Sequence, residues 1–427
     1  MTLFLRLCSI FINVGIVFHI LKFVPFLGLR HLINFKNGKR ELKLTFNGKP
    51  IFSGEKYQVP LTDQPLHIVV LIPAWNEEES IGSSVQSILK QKRKPDKVIV
   101  VPNNTTDKTA LQAMYSGANV LWMFGKNEKK KAGALNYALE ELSEELDSYP
   151  NSAVMVMDAD TIVDDDFLEK AEKKFMRNKL VGGVSSIFTG RNSHNLLGTL
   201  QQMEFARFRL QVKRRLEVFV LSGTASLISW SALKRIKEAR NEGILLPKGE
   251  GFYDVDSMTE DNELTLALLV LGYTVPHVHV KSITDVMEDG TSLYHQRKRW
   301  YLGALQNLQM YGKKMPRWMR RIYWFQQTGL FFALALTPVI LFAFVAYLIM
   351  TYIQGSPINP ADLFISEILI ALYLFIQVIT VWDQGWRARI IALLYFPDLF
   401  YGLLLLAYYA SAFWTFIRKQ EIKWIQT

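Results

Sequence analysis

Cysteine is nearly absent: Cys8 is the sole one in 427 residues. That excludes an intrachain disulfide and a multi-cysteine metal site, and it is compatible with a reducing compartment around most of the chain. Charge is scarce too, at 21% of residues against 50% hydrophobic and 13% aromatic. This balance excludes a disordered chain, a collagen-like repeat and a small disulfide scaffold. Internal repeats and low-complexity tracts are missing as well. The length suits one large domain with attached elements. The charge that is present leans basic, net +10. Nucleic acid, an anionic membrane face or an anionic substrate could each explain it until its position is read.

Charge vanishes altogether over Ile322 to Ile353, and the uncharged stretch runs on to Ala361. A bilayer core needs about 20 apolar residues per helix, so this run is long enough to span. Leu363 to Trp382 is a second run, broken by Glu367, and Ile390 to Ile417 a third, with Asp398 as its one charge. Residues 322–427 are therefore expected to be transmembrane helices. Residues 1–30 are expected to hold a signal-anchor helix, with an interfacial helix as the alternative; no small-residue cleavage site follows them. Basic residues flank these segments: Arg30, Lys36, Lys39, Arg40, Lys43 and Lys49 after the first, and Lys313, Lys314, Arg317, Arg320 and Arg321 before the next. The positive-inside rule then places the block from Arg30 to Arg321 in the cytosol of a multi-pass plasma-membrane protein. Three later crossings would leave Arg418, Lys419 and Lys423 outside, against that rule, which singles out the third run as re-entrant or breaks the rule at the tail. Because the basic charge tracks the bilayer, no nucleic-acid partner is expected.

Residues 31–66 read as a short strand-and-turn appendage, with Asn47-Gly48 as a hairpin signal. From about His67 to residue 290 strand-like and helix-like pieces alternate. Strands are expected at 67–72, 97–101, 120–124, 153–157 and 275–280, and helices at 80–90, 107–114, 132–146 and 262–271. Such alternation predicts an α/β domain with a mostly parallel sheet flanked by helices. Ligands of such sheets bind at the carboxyl ends of the strands. The segments 196–218 and 291–321 mix apolar with basic residues and are expected to lie as interfacial helices on the inner leaflet; packing against the core is the alternative. His277 and His279 alternate in a strand-like run and read as structural rather than as zinc ligands.

Polar groups stand where the strands end: Pro73-Ala74-Trp75-Asn76-Glu77, Asn103-Asn104-Thr105-Thr106-Asp107 and Asp158-Ala159-Asp160. Two carboxylates two residues apart repel unless a divalent cation sits between them; a solvated acidic turn is the ordinary alternative. Lys131-Ala132-Gly133-Ala134-Leu135-Asn136 opens a helix, and a lysine beside a helix N-terminus suits a diphosphate. Thr259-Glu260-Asp261 opens another. Its residues are ordinary caps, yet Glu260 and Asp261 are also placed to act as a general base on a hydroxyl. In Gln296-Arg297-Lys298-Arg299-Trp300, arginine suits phosphate and indole suits a sugar face or the membrane interface.

These five elements, in this order and with these gaps, resemble the membrane-embedded family 2 glycosyltransferases, among them the cellulose, hyaluronan, chitin and poly-N-acetylglucosamine synthases. The resemblance covers about His67 to Trp300 by motif and the remainder by membrane layout. It implies a GT-A fold, a UDP-sugar donor, a growing glycan acceptor and Mg²⁺ or Mn²⁺. It further implies that Ala74 and Glu77 contact the nucleoside, Lys131 the uracil or diphosphate, and Asp158 the donor. Asp160 would bind the metal and Asp261 would be the base, with Gln296, Arg299 and Trp300 holding the diphosphate and the acceptor end. Gly223, in Ser222-Gly223-Thr224-Ala225, resembles an acceptor-side loop. Asn103 departs from the family, which has Asp there; it can still hydrogen-bond a base, but base selectivity no longer follows. The expected function is an inverting synthase that extends and exports a β-linked polysaccharide, with the lipid bilayer and export or accessory subunits as partners. Transfer of one sugar to a lipid or polyprenyl phosphate, and an inactive channel or scaffold subunit, are the alternatives.

Overall fold

The computed structural model describes residues 45–46, 49–50 and 65–419, apart from 192, 214–216, 219, 248 and most of 316–359. The chain divides into two compact units, residues 44–320 with 412–427, and residues 1–43 with 321–411. In the first, β1 (Thr45–Phe46) and β2 (Lys49–Pro50) pair antiparallel across residues 47–48. The main body is an eight-stranded sheet of β3 (His67–Ala74), β4 (Lys97–Pro102), β5 (Asn119–Val120), β6 (Ser152–Met157), β7 (Ile162–Val163), β8 (Gly183–Gly190), β9 (Ala225–Ser229) and β10 (His277–Thr284), in the order β5-β4-β3-β6-β9-β8-β10-β7. The helices are α1 (Ile81–Leu89), α2 (Thr109–Tyr115), α3 (Lys130–Glu141), α4 (Ser143–Ser148), α5 (Phe167–Arg177), α6 (Leu196–Lys213), α7 (Trp230–Asn241), α8 (Glu260–Val270) and α9 (Gly290–Tyr311).

Strands β3, β4 and β6 read as unbroken apolar runs because helices cover both faces, and all but their first residues are buried in β3 and β4 and all six in β6. The sheet is parallel from β5 to β6. It then changes: β9 runs antiparallel to both β6 and β8, β10 runs parallel to β8, and β7 runs antiparallel to β10. The expectation of a mostly parallel sheet therefore gives way to a mixed one. The reason is β9, five residues of Ala225-Ser226-Leu227-Ile228-Ser229 that are buried throughout, with only Leu227 and Ile228 as large apolar residues to announce a strand. The strand expected over 120–124 ends at Val120, since Trp122 and Phe124 are solvent-exposed.

Helix α6 packs against β8. Leu200, Met203, Phe205 and Val212, which had marked a membrane-facing stripe, are buried within the protein, while Leu196 and Phe208 stay exposed. Helix α9 packs against α8: a Cβ at Gly303 would overlap the Thr259 hydroxyl, and Asn307 one turn on donates to Asn262 Oδ1 at 2.8 Å.

In the second unit, α10 (Pro360–Thr380) follows the second apolar run. The third run is two helices, α11 (Trp386–Leu394) and α12 (Phe396–Ile417), parted at Tyr395, whose φ is 62°. Helix α12 is the one helix, among the described residues, long and apolar enough to cross a membrane. The crossings expected in residues 1–30 and over most of 322–359 lie outside the described residues.

Candidate active site

Parallel strands point their carboxyl ends the same way, so the ends of β3, β4 and β6 open on one crevice. At the end of β6, Asp158 accepts from Lys131 Nζ at 2.5 Å. Lys131 comes from the first turn of α3 and also reaches Glu260 Oε1, 3.2 Å away, at the first turn of α8. Gly223 lies over the same spot: a Cβ there would stand 3.2 Å from Asp261 Oδ2, 3.4 Å from Lys131 Nζ and 3.6 Å from Asp158 Oδ2. Four segments far apart in sequence thus meet around one point. The side chains of Lys131, Asp158 and Glu260 keep 25, 35 and 20% of their surface, so the cluster is the floor of an open crevice and a ligand can reach it. Of the run Lys126 to Lys131, Lys126 and Lys129 point to solvent; Lys131 is turned inward.

The two acidic neighbours on α8 are pushed apart. Burial disfavours the Glu260 carboxylate, yet the Lys131 ammonium, the helix-start backbone and Arg299 hold it below the usual range. Burial and then the Glu260 charge push Asp261 up to about 6, against the pull of Lys131. Burial opposes charge on Lys131 also, but Asp158 and Glu260 raise it above the ordinary lysine range. A pair of carboxyls whose surroundings separate them in this way marks a division between an acid-base group and a fixed counter-charge. In this pair the raised carboxyl is Asp261 and the lowered one Glu260.

Asp160 is near enough to Asp158 to raise it, after burial. Its oxygens accept from Thr161 Oγ1 at 3.2 Å and Thr284 Oγ1 at 2.9 Å, and its backbone carbonyl accepts from Arg191, which is ion-paired to Asp285 at 2.7 Å. Glu77, on the loop after β3, accepts from Ser80 Oγ at 2.6 Å; burial, then the charges of Asp160, Asp158 and Asp285, raise it. Burial likewise raises Asp158 and Asp285, with Asp160 adding to each. Among the described residues no group of three or more His, Cys, Asp or Glu could hold a metal by itself. A divalent cation that shares ligand oxygens needs only one or two carboxylates, and the excess of negative charge around Asp160 fits such an ion.

Other expected residues are placed less directly. Ala74 is 2% exposed at the end of β3, and its carbonyl accepts from the Asn103 N–H at 2.8 Å. Asn103 Oδ1 accepts from Asn127 Nδ2 at 2.8 Å. Asp107 is spent on its own surroundings, accepting from Thr109 N–H at 3.0 Å and Glu78 N–H at 3.2 Å. On α9, Arg299 is near enough to act on Glu260 and to lower Lys130, after burial. Gln296, one turn earlier, has a buried Oε1 with no hydrogen-bond partner. Trp300 stacks on Arg297 at 4.3 Å, and Arg297, 1% exposed, donates to Glu204 Oε2 at 2.7 Å, fastening α9 to α6. Within the motif, Arg299 acts on Glu260 at the crevice, while Arg297, with Trp300 stacked on it, fastens α9 to α6.

Sequence reasoning missed Thr284 and Asp285, because the last strand was ended at 280, and missed Arg191, which follows the unforeseen β8, and Asn127. It also missed the buried support of α8, where Arg240 Nη2 donates to both Glu263 oxygens at 2.9 and 2.7 Å and Tyr311 donates to the same carboxylate. Breaking a buried pair by removing one partner costs about 3–5 kcal/mol. Glu263→Ala is expected to lose that much in denaturant unfolding of the purified protein, and Glu263→Gln less. Gly223→Ala should leave stability nearly unchanged. Its methyl enters the space between Asp261 and Asp158, and a loss on the order of 10²-fold in kcat/KM is expected, read by steady-state kinetics beside a melting curve.

The family model of glycosyl transferase family group 2 matches residues 153–416. Over 272 residues the chain is 25% identical to a poly-beta-1,6-N-acetyl-D-glucosamine synthase of Staphylococcus aureus (strain COL), covering 62% of this chain and 59% of that protein. A protein of the same name from Staphylococcus epidermidis is 26% identical over 253 residues, covering 56% and 54%. The chain thus matches these curated relatives over somewhat more than half of their length. Among solved structures, the mannosyltransferase PcManGT from Pyrobaculum calidifontis, in complex with GDP-Man and Mn²⁺, superposes with a TM-score of 0.53 at 18% identity, over 84% of this chain and 89% of that one. At that identity the likeness carries the fold: a GT-A-like mixed α/β domain.

Proposed function

This chain belongs to glycosyl transferase family group 2, as a distant relative of the poly-β-1,6-N-acetylglucosamine synthases, and we propose that it is an inverting, membrane-bound hexosyltransferase that extends a β-linked polysaccharide from a UDP-sugar. The observation that carries this reading is the meeting of Lys131, Asp158, Gly223, Glu260 and Asp261 at one point. An acceptor hydroxyl over Gly223 loses its proton to Asp261 as its oxygen attacks the anomeric carbon. The departing nucleoside diphosphate takes the bonding electrons, and Lys131 and Arg299 stabilise its charge. One displacement with no enzyme nucleophile inverts the anomeric centre. Glu260 keeps Lys131 charged and in place. Asp160, with Asp158 and the diphosphate oxygens, would hold Mg²⁺ or Mn²⁺, which when bound supplies further charge neutralisation on the leaving group. Glu77, Asn103 and the backbone of Ala74 border the nucleoside, and Gln296 and Trp300 the acceptor end. Helix α12 and the basic segments flanking the apolar runs support a multi-pass layout with the catalytic domain in the cytosol, the glycan leaving through the membrane segments.

Membranes carrying the protein, given Mn²⁺ or Mg²⁺ and a panel of labelled UDP-sugars, are expected to make a polymer that stays in the aqueous phase and to lose this activity with EDTA. Label that partitions into organic solvent instead identifies a lipid acceptor. Absence of UDP release from every donor overturns the reading in favour of a scaffold subunit.

A further inference from the structure

Immediately before Lys131 the backbone takes a turn that its sequence does not favour. Lys130, where α3 begins, has φ 56°. Left-handed backbone is uncommon for any residue with a side chain, and rarer for lysine than for asparagine. Such a conformation persists only where the surroundings hold it.

Asn127 does the holding. Its Nδ2 donates to the Lys130 carbonyl at 2.6 Å and to Asn103 Oδ1 at 2.8 Å, and its Oδ1 accepts from the Lys129 N–H at 2.9 Å. Both polar atoms of the side chain are therefore engaged. Its backbone is fixed in turn by Asn104: the Asn127 N–H donates to Asn104 Oδ1 at 3.0 Å, and the Asn127 carbonyl accepts from Asn104 Nδ2 at 2.7 Å. Asn104 is itself left-handed, with φ 55°, two residues past the end of β4. Gly133 leaves room for the amide, since a Cβ there would overlap Asn127 Oδ1. One side chain thus ties the end of β4 to the first turn of α3. The consequence falls on the next residue. Lys131 has to place Nζ 2.5 Å from Asp158 and 3.2 Å from Glu260, with Asp261 close by and Arg299 acting on Glu260. A right-handed Lys130 would send Lys131 off in another direction.

We propose that Asn127 is a positioning residue: it holds Lys130 left-handed and so aims Lys131 at Asp158 and Glu260. Asn127 acts through Lys131 and is assigned no contact with a reacting atom. That the aimed ammonium then meets a donor diphosphate rests on the transferase reading; the aiming itself rests on the contacts above.

The test uses the full chain in detergent. Amine acylation followed by mass spectrometry reads where the Lys131 ammonium is. Held against Asp158 and Glu260 it should react slowly. Asn127→Ala should speed it several-fold, while Lys126 and Lys129, which already point to solvent, stay as they were. Asn127→Asp keeps the size but loses the donor to Lys130, and should free Lys131 likewise; it serves if Asn127→Ala does not fold. Glycine enters the left-handed region as readily as the right-handed one. Adding Lys130→Gly to Asn127→Ala should therefore slow Lys131 again, although the bond to Asn103 is still missing. On the same samples Asn127→Ala should weaken binding of UDP plus Mn²⁺ about tenfold, the worth of one charge-assisted hydrogen bond. It should raise the donor's KM more than it lowers kcat, and should change UDP affinity no further in Lys131→Met. A residue that only staples the loop gives no rescue by Lys130→Gly, and its loss of UDP affinity adds in full to that of Lys131→Met. Either result, or an unchanged Lys131 rate in Asn127→Ala, overturns the proposal. A parent that binds neither UDP nor a UDP-sugar, with the acylation pattern and its rescue intact, leaves the positioning role standing while the transferase reading falls.

Discussion

Asp261→Asn is expected to reduce sugar transfer by about 10²–10⁴-fold, the usual contribution of a positioned acid-base group, while UDP binding persists. The amide keeps the shape and the hydrogen bond from the Asn262 N–H (2.7 Å to Oδ1) but cannot accept the acceptor's proton. Lys131 and Asp158, which this reading assigns to the donor, are untouched. The pH dependence follows from burial first and then the Glu260 charge, which push Asp261 up to about 6. A base works only when ionised, so kcat/KM should climb with pH through about 6 and level off above it. The same shift has the opposite sign for stability. A carboxyl raised in the folded state contributes stability that is fully present below its unfolded value and is lost as pH rises through its folded one. Asp261→Asn should therefore melt at a higher temperature than the parent near pH 8, with the difference vanishing towards pH 4. A rise in melting temperature accompanied by lost turnover is the mark of a residue kept for chemistry at the expense of the fold. If the variant turns over normally, or melts lower at every pH, the carboxyl is structural and the proposed mechanism is wrong.

The parts legible in the sequence are those where local pattern and tertiary placement agree. The runs ending at Ala74, Pro102 and Met157 are apolar because helices cover both faces of the sheet, and the polar residues after them are where the chain leaves that cover. That alone brought Asp158 and Asp160 to a crevice. Strand β9 was not legible, because its five residues, only two of them large and apolar, are placed by neighbours on both sides. Helix α8 was expected from its cap, yet the reason for its fixed position is the Arg240–Glu263–Tyr311 cluster, whose members lie on three different helices. Burial of charge, the property that most defines the site, depends on contacts between residues more than a hundred positions apart. Asp261 and Glu260 are adjacent and alike in sequence, and the positions of Lys131 and Arg299 set them apart. The interfacial expectation for 196–218 misjudged direction for a related reason: the sequence shows that Leu200, Met203, Phe205 and Val212 are apolar but not whether protein or lipid covers them.

Lys131 is the residue whose loss should reach furthest. It stands 2.5 Å from Asp158 and 3.2 Å from Glu260, and it is the cation that burial leaves to balance both. Lys131→Met keeps the bulk and removes the charge. Asp158, Glu260 and Asp261 then face one another with nothing between them, and only Arg299 remains to offset Glu260. For a fully buried pair such a break costs about 3–5 kcal/mol; with 20–35% of these side chains still exposed, screening reduces it to about 1–3 kcal/mol. The penalty has a sign in pH. Without Lys131 the carboxyls bind protons more readily in the folded protein, so the variant should be least stable at neutral and higher pH and recover towards the parent as pH falls below about 5. Lys131→Arg, which keeps the charge, should melt near the parent throughout. Activity should separate the two roles of the lysine. If it also neutralises the leaving diphosphate, Lys131→Met loses transfer even at a temperature where it is fully folded, and UDP affinity falls with it. A variant that melts as predicted yet binds UDP and turns over at the parent's rate would confine Lys131 to holding Asp158 and Glu260 in place, and would move the diphosphate away from the start of α3.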